Sequence, residues 1–168
     1  ESFYEPMLPA VVDELLRKGL AREDQGAICV FFQEWEDAPA KLAKQTTPFL
    51  VRKKDGAFLY ATTDIATIQH RKELGLGRAI YVVDSRQSQH FEQLFAVARK
   101  LGLDLVYEHV GFGMVLGADG KPLKTRDGKT LTLATLLDEA EARAAEVIRA
   151  QGLDIPEEQL AAVARAVG

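Results

Sequence analysis

Three polar stretches of this chain carry residue types that can do chemistry. The most basic is Gly117-Ala-Asp-Gly-Lys-Pro-Leu-Lys-Thr-Arg-Asp-Gly-Lys129, in which Lys121, Lys124, Arg126 and Lys129 outnumber Asp119 and Asp127. Its glycines allow tight backbone turns and Pro122 stiffens a point between them, so the loop can close over an anion such as a polyphosphate. On composition alone such a stretch is more often a solvated hairpin. The second is Asp84-Ser-Arg-Gln-Ser-Gln-His90, a polar run directly after the apolar run Ala79–Val83. It offers amides, hydroxyls and an imidazole to a crevice, or simply caps and wets the first turn of a helix. The third is Tyr60-Ala-Thr-Thr-Asp64, where a phenol and a carboxylate four residues apart can face a cationic, multi-donor ligand. The competing reading has Asp64 favouring the positive end of its own helix, with Tyr60 in the core.

These groups need elements to position them. Val11, Val12, Leu15 and Leu16 at helical spacing, ended by Gly19, predict a helix over Pro9 to Lys18. Ala27 to Phe32 and Phe49 to Lys53 read as strands, with Gln33 to Pro48 as an irregular connection. Lys54-Asp-Gly56 predicts a hairpin returning through a strand at Ala57 to Tyr60. Thr62 or Thr63 caps a helix to about Leu74, and Ala79 to Val83 reads as a strand buried on both faces. A helix over Ser88 to Lys100 and a strand over Leu105 to Val110 complete a parallel β-α-β crossover. Ligands of open parallel sheets bind beyond the carboxyl ends of the strands, where Asp84 to His90 stands. Leu133 to Ala150 and Pro156 to Val167 read as two alanine-rich helices.

The 168 residues suffice for one core, or for a domain with a subdomain, and the composition is ordinary for a soluble protein, with 47% hydrophobic and 27% charged residues. No apolar run nears the length of a membrane span, and a net charge of −4 restricts any polyanion contact to a local patch. The lone Cys29, in an apolar run, excludes an intrachain disulfide and suits a reducing cytosol. The chain begins at Glu1 without a charged-then-apolar leader, as an excised piece would. Gly120-Lys121 is not a P-loop, because Val115 stands where the first glycine belongs and Pro122 where Ser or Thr should follow. No histidine or cysteine set is spaced for zinc, and there is no Gly-x-Ser-x-Gly elbow.

Taken in order, Glu1-Ser-Phe-Tyr4, Tyr60-Ala-Thr-Thr-Asp64, Asp84-Ser-Arg-Gln-Ser-Gln-His90, Gly111-Phe-Gly-Met114 and Gly120-Lys-Pro-Leu-Lys-Thr-Arg126 resemble the later half of the catalytic domain of arginyl-tRNA synthetases, class I aminoacyl-tRNA ligases. The resemblance implies an α/β fold, the second part of a Rossmann-like catalytic domain. Residues 1–60 would be a helix plus a β-rich inserted module, 61–130 the βαβ portion with its basic loop, and 131–168 helices leading toward a tRNA-binding domain. Tyr60, Asp64 and Gln87 would line the arginine pocket. His90, Gly111, Phe112, Gly113 and Met114 would lie by the nucleotide. Lys121, Lys124, Thr125 and Arg126 would surround the triphosphate in place of the family's Lys-Met-Ser-Lys-Ser loop.

Further implications are arginine, ATP and tRNA(Arg) as partners, Mg2+ accompanying the nucleotide, no tightly bound cofactor, no membrane, and a cytoplasmic monomer. The loop departs from the family pattern, so its basic residues are not matched one to one. The His-Ile-Gly-His type motif is absent from these residues, and the chain alone is expected not to complete the reaction. Two other classes stay open on the residues: a non-catalytic synthetase-like module binding tRNA or a small cationic ligand, and another nucleotidyl-transferring α/β enzyme, which has no need of a guanidinium pocket.

Overall fold

The computed structural model describes residues 2–113, 132–152 and 156–167. The chain divides into two units, Glu1–Met114 and Val115–Gly168. The basic loop over 117–129, with Lys121, Lys124, Thr125 and Arg126, lies outside the described residues, as does Met114.

In the first unit a short 3-10 segment leads into α1 (Leu8–Arg17), whose Leu8, Val11, Val12 and Leu15 are buried as a single stripe. Burying each such side chain is worth roughly 1.5–3 kcal/mol, so tertiary contact rather than helix propensity holds this ten-residue helix. Strands β1 (Arg22–Asp24) and β2 (Ala27–Val30) form an antiparallel hairpin, and the stretch from Gln33 to Pro48 contains a 3-10 turn and the short α2 (Ala40–Ala43). Strand β3 (Phe49–Arg52) pairs antiparallel with β2. The Lys54-Asp-Gly56 turn forms: Gly56, at φ +87°, takes a backbone conformation that side chains disfavour, and Asp55 Oδ1 accepts from Ala57 N at 3.0 Å.

The strand expected at Ala57 to Tyr60 does not form. Phe58 makes only an isolated bridge to Arg52, and Tyr60 is already the first residue of α3 (Tyr60–Glu73). Thr62, expected as a cap, is instead fully buried within the helix, and its hydroxyl donates to the carbonyl of Val51 at 2.5 Å. That bond ties α3 to β3 and draws the helix start forward to Leu59, the extended residue preceding it.

Beyond α3 the expected crossover is present. Strand β4 (Arg78–Asp84), α4 (Ser88–Lys100) and β5 (Val106–Phe112) follow in order, with β4 and β5 parallel in the register Arg78↔Val106 through Asp84↔Phe112. Helix α4 turns Phe91, Leu94, Phe95 and Ala98 inward, and its rings meet the sheet through Phe91 on Tyr81 and Phe95 on Tyr107. The expectation that β4 is buried on both faces is corrected. Ala79 is buried and Tyr81 and Val83 are half-buried, but Ile80 and Val82 are 52% and 65% exposed, because the helices of this unit cover only one side of the sheet.

In the second unit α5 (Leu133–Ala150) is capped by Thr132, whose Oγ1 accepts from Thr135 N at 3.2 Å, and it packs with α6 (Glu157–Val167) through buried Leu160 and Ala164. Both helices match expectation. Among the described residues, no helix is long and apolar enough to cross a membrane.

Candidate functional site

Helices α3 and α4 each bring one end of their sequence to the same place. Tyr60 opens α3 and is 70% exposed, and Asp64 follows one turn later on the same side of the helix. His90, the third residue of α4, meets Asp64 across the helix pair, with Nε2 to Oδ2 at 2.7 Å. A carboxylate only accepts, so this imidazole nitrogen donates. The ring is flanked by Phe49 of β3, with centroids 5.7 Å apart, and by its neighbour Phe91 at 5.3 Å.

Asp64 sits in the second turn of α3, since the helix begins at Tyr60, and the first turn contains no acidic residue. The field of a helix end fades within its first turn, so stabilisation of the helix gives a poor account of this carboxylate. Its partner on another helix gives a better one. Tyr60 and His90 line one hollow of about 230 Å³, together with Phe49, Leu50 and Gln93, and Asp64 is bonded to His90 without lining the hollow itself. Gln93 escaped the sequence reading. It is only 7% exposed, and its Nε2 donates to Gln45 Oε1 at 2.7 Å, pinning the irregular segment before β3 to α4. The available signal was an amide placed between Phe91 and Leu94 on the apolar face of α4.

Gln87 is exposed and ends the 3-10 turn Ser85–Gln87, one turn ahead of His90, and it is not among the residues lining that hollow. The turn is built by Asp84, which accepts from Arg86 N at 2.8 Å and from its guanidinium at 2.8 and 2.9 Å. The Arg86 side chain, followed by its backbone N–H, holds the Asp84 carboxyl below its usual range. This is the carboxyl end of the parallel pair, where β5 finishes at Gly111 and Phe112, with Gly113 next. Ser85 Oγ donates to the Phe112 carbonyl at 3.0 Å, and a Cβ on Gly111 would stand 2.8 Å from Ser85 Oγ and 3.3 Å from Ser85 Cα, so a side chain here would force the turn to shift. Beneath the turn, His109 Nε2 lies 3.1 Å from the Val83 carbonyl while its ring stacks on Phe91 at 4.7 Å. Burial raises the phenols of Tyr81 and Tyr107, the latter to about 12, so both serve as packed rings rather than acids.

The residues that sequence marked thus fall into two groups. Tyr60 and His90 line one hollow and Asp64 joins them through its bond to His90, while Gln87, Gly111, Phe112 and Gly113 gather at the strand ends. A carboxylate oriented by an imidazole, with a phenol at its side, can accept from a planar cation with several N–H donors.

A model of the family described as tRNA synthetases class I (R), catalytic domain, matches residues 1–168. Relatives named arginine–tRNA ligase are 49% identical over 172 residues in Idiomarina loihiensis and 47% in Hahella chejuensis, covering all of this chain and 29% of each relative. The chain therefore spans under a third of the length of these relatives. Among solved structures, the arginyl-tRNA synthetase of Plasmodium falciparum is similar with a TM-score of 0.63 and 26% identity, over 98% of this chain and 26% of that one. The Thermus thermophilus arginyl-tRNA synthetase shares the fold, with a TM-score of 0.59 and 18% identity over 95% of this chain and 32% of that one. With the family model matching from the first residue to the last and the β4-α4-β5 crossover in place, the chain belongs to the catalytic domains of class I (R) tRNA synthetases.

Proposed function

We propose that this chain forms the later part of the catalytic domain of an arginine–tRNA ligase, which activates arginine with ATP and transfers it to tRNA(Arg). The observation that carries the reading is the Asp64 carboxylate, held by His90 beside the hollow that Tyr60 lines. Asp64 pairs with the guanidinium of the substrate and the Tyr60 phenol supplies a polar contact at its edge, while the Gln87 amide, outside the hollow that Tyr60 lines, reaches the substrate from the strand ends. Such a pocket rejects lysine, whose compact ammonium leaves part of a fork-shaped acceptor set unpaired. Gly111, Phe112, Gly113 and Met114 contribute to the nucleotide side, at and just beyond the end of β5.

In the reaction the arginine carboxylate attacks the α-phosphorus of ATP, the bond to pyrophosphate breaks, and the adenylate then passes its acyl group to the terminal ribose of the tRNA. No side-chain nucleophile is required. Lys121, Lys124 and Arg126 offset charge growing on the leaving pyrophosphate, with the Thr125 hydroxyl beside the triphosphate, so the chain acts by positioning and electrostatics. Magnesium is carried by the triphosphate. This reading takes the protein to work as a monomer in the cytoplasm.

The test is arginine-dependent ATP–pyrophosphate exchange, with tRNA present, in the full-length protein carrying this chain. Asp64→Asn is expected to raise the KM for arginine at least tenfold while that for ATP changes less than twofold, because hydrogen bonds to a charged group are worth roughly 1.5–3 kcal/mol. Equal losses for both substrates would count against the pocket. Binding of tRNA without any exchange would point to a non-catalytic module.

A further inference from the structure

The contact between Asp64 and His90 carries more than the presence of a carboxylate. Asp64 is a short side chain with about a third of its surface in water, and alone it would sample several rotamers. His90 removes that freedom: its Nε2 meets Oδ2 at 2.7 Å, and the imidazole itself is set between the rings of Phe49 and Phe91. Phe91 is in turn stacked on His109, whose Nε2 lies 3.1 Å from the Val83 carbonyl near the end of β4. A continuous run of packed rings thus joins the carboxylate on α3 to the carboxyl end of the parallel sheet.

We propose that His90 is a positioning residue for the amino-acid end of the site: it fixes the Asp64 carboxylate so that the remaining lone pairs meet a guanidinium fork. The inference rests on the assignment of Asp64 to arginine and adds that His90 serves the same substrate, not the nucleotide. With one lone pair of Oδ2 committed to the imidazole, Oδ1 and the second lone pair of Oδ2 present a directed pair of acceptors. A directed pair suits a planar cation and gives nothing extra to a spherical ammonium. His90 acts through Asp64, and its part of the hollow wall is shared with Tyr60.

The experiment uses the full-length protein, with tRNA, and reads arginine and ATP dependence of pyrophosphate exchange separately for His90→Ala, His90→Gln, Asp64→Asn and the double variant of Asp64→Asn with His90→Ala. Loss of one hydrogen bond to a charged group predicts a rise in the KM for arginine of roughly ten- to a hundredfold in His90→Ala, with the KM for ATP within twofold. His90→Gln keeps an N–H donor near the Nε2 position, so most of the arginine dependence returns. In the double variant the His90 change adds less than twofold to Asp64→Asn, because both act on one interaction.

A merely structural histidine would lower thermal stability and depress both substrates together, with no recovery in His90→Gln, and that pattern overturns the proposal. A rise confined to ATP overturns it too and returns His90 to the nucleotide. Should His90→Ala fail to fold, His90→Gln and Asp64→Asn decide: a His90→Gln variant as impaired for arginine as Asp64→Asn overturns the positioning role. Should Asp64→Asn leave arginine dependence unchanged, the arginine pocket itself fails, an outcome distinct from a defect in Asp64→Asn alone, which removes only the role of His90.

Discussion

At the scale of single residues, Gly111 shows how little room the strand ends leave. Its φ is unremarkable, so the requirement is not conformational. It comes from Ser85, whose Oγ would lie 2.8 Å and Cα 3.3 Å from an added Cβ. The hydroxyl can rotate away, but only by releasing the Phe112 carbonyl, and the backbone Cα cannot. Gly111→Ala should therefore push the Ser85–Gln87 turn off β5 and carry Gln87 with it. In the full-length protein we expect a fall of at least tenfold in kcat/KM for arginine with a loss of melting temperature below about 4 °C, the upper end of the shift that roughly 1 kcal/mol gives in chains of 150–250 residues. A melting loss large enough to explain the kinetics would show that the glycine serves folding alone. Tyr60, Asp64 and the strand-end run stand out in the sequence as polar groups beside apolar runs, and the family resemblance rather than the residues alone assigns them to a candidate site. Gln93 was not legible, since its partner Gln45 is 48 positions away and nothing local marks the pair.

The elements were easier to read where periodicity was strong. Helix α4 repeats its apolar face over three turns, and α1 does so over two, so both were found to within a residue or two. The failure at Ala57 to Tyr60 has a physical cause: the Asp55-Gly56 turn is a local signal and formed, but continued pairing lost to a tertiary bond, Thr62 Oγ1 to the Val51 carbonyl, that starts α3 early. That bond makes a prediction. Thr62→Val keeps the shape and removes the donor from a fully buried position. The Val51 carbonyl still accepts from Leu59 N at 3.3 Å, so it is not wholly orphaned, and the cost should fall near the low end of the range for such losses, about 1 kcal/mol. Denaturant unfolding of the chain measures it. A cost above about 3 kcal/mol would mean that the hydroxyl organises the junction of β3 and α3 beyond its single bond.

For the molecule as a whole, the parallel pair β4-β5 is the feature least like a finished structure. Parallel sheets are ordinarily covered on both faces, whereas here Ile80, Val82, Val106, Val110 and Phe112 lie between 43% and 65% exposed. In the register of the pair, Val82 stands opposite Val110, with Ile80 two positions earlier on β4 and Phe112 two later on β5, so these side chains share one side of the sheet and form a patch rather than scattered points. An apolar patch of this kind binds apolar dyes and favours self-association. The 168-residue chain studied alone should therefore enhance the fluorescence of an anilinonaphthalene sulfonate dye and elute from a sizing column at a volume that depends on its concentration. Val82→Lys combined with Val110→Lys, both on the open side, should lower the dye signal at least threefold while the far-ultraviolet dichroism is unchanged, because neither side chain belongs to the buried core between α4 and the sheet. Dye binding that persists in this variant would place the sticky surface elsewhere. An unfolded variant would show instead that these two valines support the strand pair itself, and the exposed side of the sheet would then have to be regarded as part of what holds β4 to β5.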